Sequence, residues 1–243
     1  MKNLTLLSVA ILAISLFSCK KSNDSPASSG DLPKTYTEDL RSSVLNSVVT
    51  YNMTYDDKNR LISMAATPEP SSIKFVYQYP DDHTILMDLY NTNHLSVHEK
   101  FWLNSFSLVD STFQYDDAQD TTTEKYFYDP NHLVTTTNEY DHSGAVSTLA
   151  DQTTYTYDNN GNALTQSSSA GTVSFTYFTD MPYTLSVGLG FVAGPKYFIK
   201  TASNDASGAV ATHYYKFDSS NRLIQDSAYI SVADAIVVKT YGY

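Results

Sequence analysis

Tyr157-Asp158-Asn159-Asn160-Gly161-Asn162-Ala163 is the stretch of sequence that decides the fold. An aromatic residue is followed by Asp, whose side chain can accept hydrogen bonds from backbone N–H groups two residues further along. The fourth position is Gly161, and Gly enters the left-handed region of backbone conformation at little cost. A short turn closed by a left-handed residue commonly joins two antiparallel strands. The stretch therefore predicts a β-hairpin.

The same turn recurs along the chain. Further copies begin at Tyr55, Tyr140 and Phe217, a copy at Asn204 lacks the aromatic residue, and weaker copies begin at Tyr115 and Tyr128. The predicted turn residues are Asp56 and Asn59, Asp141 and Gly144, Asp158 and Gly161, Asp205 and Gly208, and Asp218 and Asn221. Neighbouring copies are separated by one turn plus one or two short strands, which is typical of a β-meander.

Aromatic residues alternate with other residues before many of these turns, as in Tyr51, Met53 and Tyr55. A period of two places such a set on one face of a strand. The other sets are Phe75, Tyr77 and Tyr79; Phe113 and Tyr115; Tyr126 and Tyr128; Phe175 and Tyr177; and Tyr215 and Phe217. We expect most of these rings to form the core and cross-strand pairs. The predicted fold is all-β, an antiparallel meander of hairpins over residues 36–243 that forms a long twisted or spiralling sheet.

Two stretches depart from this pattern. Residues 38–47 are compatible with a short helix that leads into the domain. Residues 179–195 hold three Gly and two Pro and lack the alternation. This stretch is expected to be a capping element, and the alternative is a ligand-binding loop.

The N-terminus has the features of an exported lipoprotein. Lys2 precedes an apolar run over residues 4–17, which is shorter than the ~20 residues of a membrane-spanning helix and matches a signal peptide. The run ends in Leu16-Phe17-Ser18-Cys19, which resembles the bacterial lipobox. In that motif the Cys is acylated and the peptide is cut before it. The sequence therefore predicts a signal peptide over residues 1–18 and lipidation of Cys19, which is the only Cys.

Residues 19–35 are polar and rich in Ser, and they are expected to be a flexible tether. Lys20 stands at the second mature position, which favours the outer membrane over the inner membrane. The formal charge of the chain is −11, and removal of a segment that carries only Lys2 makes it −12. An acidic chain with few clustered basic residues is a poor partner for nucleic acid. The expected partner is the membrane, through the lipid.

The Tyr-Asp-x-x-Gly-Arg-Leu theme resembles the YD repeats of Rhs-type proteins. The layout also resembles a group of Bacteroidota lipoproteins of unknown function, which share the Ser-Cys-Lys-Lys start, the Ser-rich tether, the degenerate YD hairpins and a Gly- and Pro-rich break. The resemblance covers about residues 45–243 and the signal, and only Arg60 and Arg222 keep the Arg of the repeat. It implies a hairpin fold and an envelope location, and it implies no reaction.

Motifs for chemistry are sparse. His94 and His98 are four residues apart, which on a strand separates them too far to share a metal ion, so neither a metal nor a cofactor is predicted. No catalytic residues are predicted, and Trp102 is the best single candidate for a ligand-binding aromatic residue. The expected function is a non-enzymatic, lipid-anchored envelope protein with a structural or binding role. The alternatives are a carbohydrate- or peptide-binding lipoprotein of a nutrient-uptake system, with a glycan or protein partner, and a hydrolase with an unrecognised carboxylate site.

Overall fold

The computed structural model describes residues 32–43, 46–67, 73–116, 121–143, 145–182 and 197–243. These residues hold sixteen β-strands and one short 3-10 helix, Ser231–Ala233, between the last two strands. The strands are β1 Thr35–Arg41, β2 Asn46–Tyr55, β3 Leu61–Thr67, β4 Lys74–Asp81, β5 Thr84–Asn91, β6 His94–Leu103, β7 Val109–Asp116, β8 Thr121–Tyr128, β9 Val134–Ser143, β10 Val146–Tyr157, β11 Ala163–Ser168, β12 Gly171–Pro182, β13 Tyr197–Asn204, β14 Val210–Phe217, β15 Leu223–Ile230 and β16 Ala235–Gly242.

The strands form a closed barrel. Each strand pairs antiparallel with its neighbours in the chain, and β16 pairs with β1, with Tyr241 opposite Tyr36. The all-β antiparallel meander is therefore confirmed, whereas the long twisted or spiralling open sheet is wrong. Closure pairs the two strands that would otherwise be exposed edges. The short helix over residues 38–47 is also wrong, because β1 runs to Arg41 and β2 begins at Asn46.

Several predictions concern residues that the structure does not describe. The signal peptide, Cys19 and most of the tether lie outside the described residues, as do Gly144 and residues 183–196 of the expected cap or ligand loop. The last residues of the tether belong to the barrel. Leu32 is buried, the N–H of Lys34 donates to the carbonyl of Gly242, and the carbonyl of Lys34 accepts the N–H of Met53 at 2.8 Å.

One hydrogen-bonding pattern explains why Asp opens the turns. In the turn after Tyr157, one carboxylate oxygen of Asp158 accepts the backbone N–H groups of Asn160 at 2.8 Å and Asn162 at 2.9 Å. Gly161 closes the turn with a φ of +82°. The structure places Asp56, Asp129 and Asp218 in the same role, with Asn59, His132 and Asn221 in the left-handed position.

These turns lie at one end of the barrel, because alternate strands run in opposite directions. We call this end the YD rim; it is formed by the turns at residues 56–60, 104–108, 129–133, 158–162 and 218–222. An almost fully buried residue lies at the end of each of these turns or directly after it. The buried layer at the YD rim consists of Leu61, Ile85, Val109, Val134, Asn162, Phe198 and Leu223, one from each odd-numbered strand or the turn before it, and of Leu32 before β1. The repeat therefore builds a buried layer at this rim that is apolar except for Asn162.

The Tyr of the repeat fastens this layer from one hairpin to the next. The hydroxyl of Tyr157 on β10 donates to the carbonyl of Val134, at the start of β9, at 2.7 Å. Tyr79 reaches Leu61 in the same way at 2.8 Å. Each of seven tyrosines donates to a backbone carbonyl near the start of the preceding odd-numbered strand. We call them the rim tyrosines: Tyr55, Tyr79, Tyr128, Tyr157, Tyr177, Tyr215 and Tyr243.

The Arg of the repeat contacts both the Asp of its own turn and one of the rim tyrosines. Arg60 donates from Nε to the Asp56 carboxylate at 2.7 Å, and its guanidinium lies 4.1 Å from the centre of the Tyr79 ring. Arg222 binds Asp218 in the same way, and its guanidinium lies 4.4 Å from the centre of the Tyr243 ring. A planar guanidinium can donate to a carboxylate and stack on an aromatic face at the same time.

Two of the predicted turns differ from this pattern. Asp141 is not a turn residue, because β9 continues to Ser143 and β10 begins at Val146. Asp205 does begin a turn, in which Gly208 has a φ of +67°, but its carboxylate accepts the N–H of Thr172 at 2.7 Å. Both connections, from β9 to β10 and from β13 to β14, lie at the end of the barrel away from the YD rim.

Replacing Asp56 with Ala is expected to lower the free energy of unfolding by about 1–2 kcal/mol, because two backbone N–H groups and Arg60 lose their acceptor. Urea denaturation followed by tryptophan fluorescence measures this loss. The neighbouring Asp57 is exposed in the same turn, so Asp57→Ala is the matched control and should change stability little. Equal effects of the two substitutions would contradict the capping role of Asp56.

Candidate binding surface and lumen

Most of the barrel wall is apolar inside and polar outside. On β2, Tyr51, Met53 and Tyr55 face inward, and Met53 belongs to the buried core cluster. Thr50 faces outward, where its hydroxyl lies 2.9 Å from that of Thr37 on β1. Two other outward hydroxyl pairs are Thr156 with Thr165 and Thr176 with Thr201, each at 2.6 Å.

Aromatic residues face outward on the wall formed by β5 to β9. Phe113 and Tyr115 alternate with Thr112, which is buried inside, so both rings lie on the outer face. The registers between strands place Trp102 and Lys100 of β6 on this face as well. The aromatic strip is defined as Trp102, Phe113, Tyr115, Phe127 and Tyr140, together with the polar residues between them, His98, Lys100, Thr123, Lys125 and His142.

Contacts between these side chains hold the rings in position. The Lys100 ammonium lies 4.7 Å from the centre of the Trp102 ring, and the His98 ring stacks on Tyr115 with centroids 4.9 Å apart. His98 is itself held by Asp88, whose carboxylate lies 2.5 Å from Nδ1. On the far side of the strip, His142 Nε2 lies 2.7 Å from the Thr123 hydroxyl. The strip is therefore a surface of ring faces with polar groups at their edges.

Trp102 lies on this strip with 36% of its surface exposed, so it is not a core residue. The strip also contains Phe113 and Tyr115, which the alternation predicted to share a face without indicating which face. Their exposure could not be read from the period alone, because a period of two fixes only that two residues point the same way.

The inner face contains two polar sectors. In the first, formed by β14 to β1, Lys239 lies opposite Glu38 on one side and Asp226 on the other. His213 Nδ1 lies 3.1 Å from the Asp226 carboxylate, and the Tyr36 hydroxyl donates to Glu38 at 2.7 Å. Lys239 therefore supplies a counter-charge between two carboxylates in this sector.

The second sector contains carboxylates only. Glu99 of β6 and Glu124 of β8 face inward, as do Glu139 and Asp141 of β9 and Asp151 of β10. Between Thr84 and Ser168 the only Lys or Arg residues are Lys100 and Lys125, and both lie on the outer face. Asp116, at the end of β7, also faces inward opposite Val97, and we call the other five inward carboxylates the acidic sector. This part of the wall therefore carries negative charge inside, and both of its Lys residues lie outside.

Glu99 is the most deeply placed member of the acidic sector. Burial among protein atoms, and secondarily the charge of Glu124, raises the pKa of Glu99 to about 7. Burial also raises the pKa of Glu139, and Glu124, Asp141 and Asp151 add to that effect. Glu139 and Asp141 nevertheless have exposed side chains although they face inward, so the lumen is open to solvent at their level.

Tyrosine rings surround the two inner glutamates. The Tyr126 hydroxyl donates to Glu124 at 2.5 Å. Tyr77 interacts electrostatically with Glu99, and Tyr155 interacts with Glu124. Burial raises the pKa of Tyr155 to about 12, so these phenols are neutral near pH 7 and act as hydrogen-bond donors.

The described residues contain neither a metal-binding cluster nor a membrane-spanning helix. The part of the chain that the structure describes has no group of three or more His, Cys, Asp or Glu residues arranged to hold a metal ion. The same residues form no helix with the length and apolar character needed to cross a bilayer.

Solved structures from Bacteroides share the fold. The chain is similar to a porin-like protein from Bacteroides uniformis, with a TM-score of 0.64 and 16% identity over 86% of this chain and 95% of that one. It is also similar to a porin-like protein from Bacteroides vulgatus, with a TM-score of 0.59 and 11% identity over 88% of this chain and 98% of that one. The sequence matches no protein-family model and none of the curated proteins. The chain therefore has the closed-barrel fold of these porin-like proteins, and likeness at this level of identity shows the fold alone.

Proposed function

We propose that this protein is a lipid-anchored protein of the bacterial outer membrane, whose barrel stands outside the bilayer and binds glycans through the aromatic strip without a catalytic step. The aromatic strip is the observation that carries the proposal. The outer faces of β1 to β3 and of β10 to β13 are built mainly from hydroxyl and amide side chains, and Tyr214, Tyr229 and Ile236 are exposed on β14 to β16. The strip concentrates five aromatic residues on four neighbouring strands.

The position outside the bilayer is supported by the polarity of the wall. Barrels that span a membrane carry an apolar band on the outside and polar residues inside. Here the outer faces of β1 to β3 and of β10 to β13 carry mainly hydroxyl and amide residues, including Thr37, Thr50, Asn52, Thr54, Ser63, Gln152, Thr154, Thr156, Thr165, Ser167, Thr172, Ser174, Thr176, Thr201 and Ser203. A lipid on Cys19 would therefore provide the attachment, and the porin-like fold is compatible with an envelope location.

The chemistry of the strip favours a sugar. A pyranose ring presents a face of C–H groups, which packs on an aromatic ring, and hydroxyl groups at its edges, which need hydrogen-bond partners. Trp102 and Tyr115 supply the ring faces, and Lys100, His98 and Thr123 supply donors and acceptors beside them. A purely apolar partner would leave these polar groups without water or partners.

Replacing Trp102 with Ala should weaken retention on a polysaccharide affinity gel by about tenfold, because a stacked aromatic ring contributes roughly 1 kcal/mol or more. Tyr115→Ala should act in the same direction. Affinity electrophoresis through a panel of soluble polysaccharides measures the loss. Tyr214 is 62% exposed on β14, outside the strip, so Tyr214→Ala is the matched control. Retention that survives the loss of both strip residues, or capture of a peptide in place of any glycan, would refute the glycan assignment.

A further inference from the structure

The acidic sector of the lumen lacks a positively charged side chain on its own face of the described strands. Its carboxylates share one face of neighbouring strands, and no Lys or Arg lies on that face between Thr84 and Ser168. Like charges held close together in a partly desolvated site oppose ionisation. The polar sector across the barrel, where Lys239 lies between Glu38 and Asp226, shows the arrangement that the acidic sector lacks.

The carboxyl group of Glu99 lacks a hydrogen-bond donor among the described residues. Its side chain is mostly buried on the inner face of β6, where the charge of Glu124 acts on it, and no described residue donates a hydrogen bond to it or pairs with it. A buried carboxyl group without a partner is costly, and native proteins seldom keep one without a reason. The group is therefore placed to receive a donor that the described chain does not supply.

The surroundings of Glu99 indicate the class of that donor. Glu124 belongs to the same sector, and the phenol of Tyr126 donates a hydrogen bond to its carboxylate. Tyr77 interacts electrostatically with Glu99, Tyr155 interacts with Glu124, and both tyrosines face inward. Ammonium groups are favoured both by carboxylates and by aromatic faces, so carboxylates among tyrosine rings form a site for an organic cation.

The site can be reached from solvent. Glu139 and Asp141 follow one another along the inner face of β9 towards the end of the barrel away from the YD rim, and both side chains are exposed. Successive inward residues of a strand are about 7 Å apart, so these carboxylates form a path from that opening towards Glu124, which lies opposite Glu139 in the register. A cation that enters there meets negative charge at each step.

We propose that the acidic sector binds an organic amine, with Glu99 and Glu124 pairing with its ammonium group and tyrosine rings forming the walls of the site. The site is separate from the aromatic strip, which lies on the other side of the same strands. The bound ammonium supplies the counter-charge that the inner face lacks, and it favours the ionised form of Glu99. Binding near pH 7 therefore releases part of a proton from Glu99 to the solvent.

Isothermal titration calorimetry of the mature chain with spermidine and with 1,5-diaminopentane tests the proposal. We expect saturable binding of one amine, and a loss of at least tenfold in affinity for Glu124→Gln and for Glu99→Gln. Titrations at pH 7 in two buffers with different enthalpies of ionisation should show proton release by the wild type and not by Glu99→Gln. A structural role of Glu99 would not produce that difference.

Matched variants separate the lumen from the surface. Asp110 is exposed, and Asp110→Asn should leave amine binding unchanged, as should Trp102→Ala in the aromatic strip. The absence of saturable binding would overturn the proposal. Binding that Glu99→Gln and Glu124→Gln leave intact would also overturn it, because it would place the amine on surface carboxylates. Saturable binding of Ca²⁺ with no amine binding would replace the organic cation by a metal ion.

Discussion

Replacing Glu99 with Gln is expected to raise the free energy of unfolding at pH 8 by about 3 kcal/mol, and to leave it nearly unchanged at pH 4. The pKa of Glu99 is about 7 in the folded protein, against an ordinary value of 4.5. Between pH 4.5 and about pH 7, Glu99 keeps its proton in the folded state and has lost it in the unfolded state. Stability therefore falls as the pH rises through this window, and the neutral Gln side chain removes the fall.

Urea denaturation at pH 4, 6 and 8 measures this effect. The wild type and Glu99→Gln should have similar stability at pH 4 and should separate progressively above pH 5. Asp110→Asn is the control, since it removes an acid from an exposed position and should not change the pH profile. Parallel profiles of the wild type and Glu99→Gln would show that Glu99 titrates as an ordinary exposed carboxylate. A more stable variant with weaker amine binding would mean that the wild-type residue is kept for a ligand at the expense of stability.

Replacing Cys19 with Ala is expected to abolish acylation and to release the protein completely from the membrane fraction. Each buried methylene of an acyl chain contributes roughly 0.8 kcal/mol, so two or three chains hold a protein stably. The chain has a formal charge of −11, which opposes adsorption to anionic lipid headgroups. The remaining surface therefore offers little to replace the lipid.

Metabolic labelling with palmitate and fractionation of the envelope measure this prediction. Ser22→Ala, in the same polar stretch, is the control and should remain acylated and membrane-bound. If the Cys19→Ala protein remains in the membrane fraction without label, the attachment is made by the barrel wall, and the position outside the bilayer is refuted.

Local features of the fold could be predicted from the sequence because local physics determines them. An Asp that caps its own turn and a Gly or Asn in the left-handed position act within five residues, as Asp158 and Gly161 do. Barrel closure could not be predicted, because the pairing of Tyr36 with Tyr241 joins residues at opposite ends of the domain. A meander of hairpins is compatible with both an open and a closed sheet.

The candidate sites could be predicted only in part. Trp102 was identifiable as the single Trp, but its place beside Lys100 and Phe113 depends on the registers of neighbouring strands. The acidic sector gave no sequence motif, because its members come from β6, β8, β9 and β10 and meet only through closure and register. Asp141 shows the same limit. Its Tyr–Asp–x–x–Gly pattern matches the other turns, yet Tyr140 faces outward, where its hydroxyl accepts a hydrogen bond from the side-chain amide of Asn138.

The position of Leu32 and Lys34 at the YD rim determines how a tethered barrel would be oriented. With the lipid on Cys19, the chain reaches the barrel after 13 residues, which span at most about 45 Å when fully extended. The buried layer would then lie towards the bilayer, and the opening beside Glu139 and Asp141 would point away from it. Solutes arriving from the side opposite the membrane would enter the lumen through this opening. The aromatic strip would lie on the side wall of the barrel.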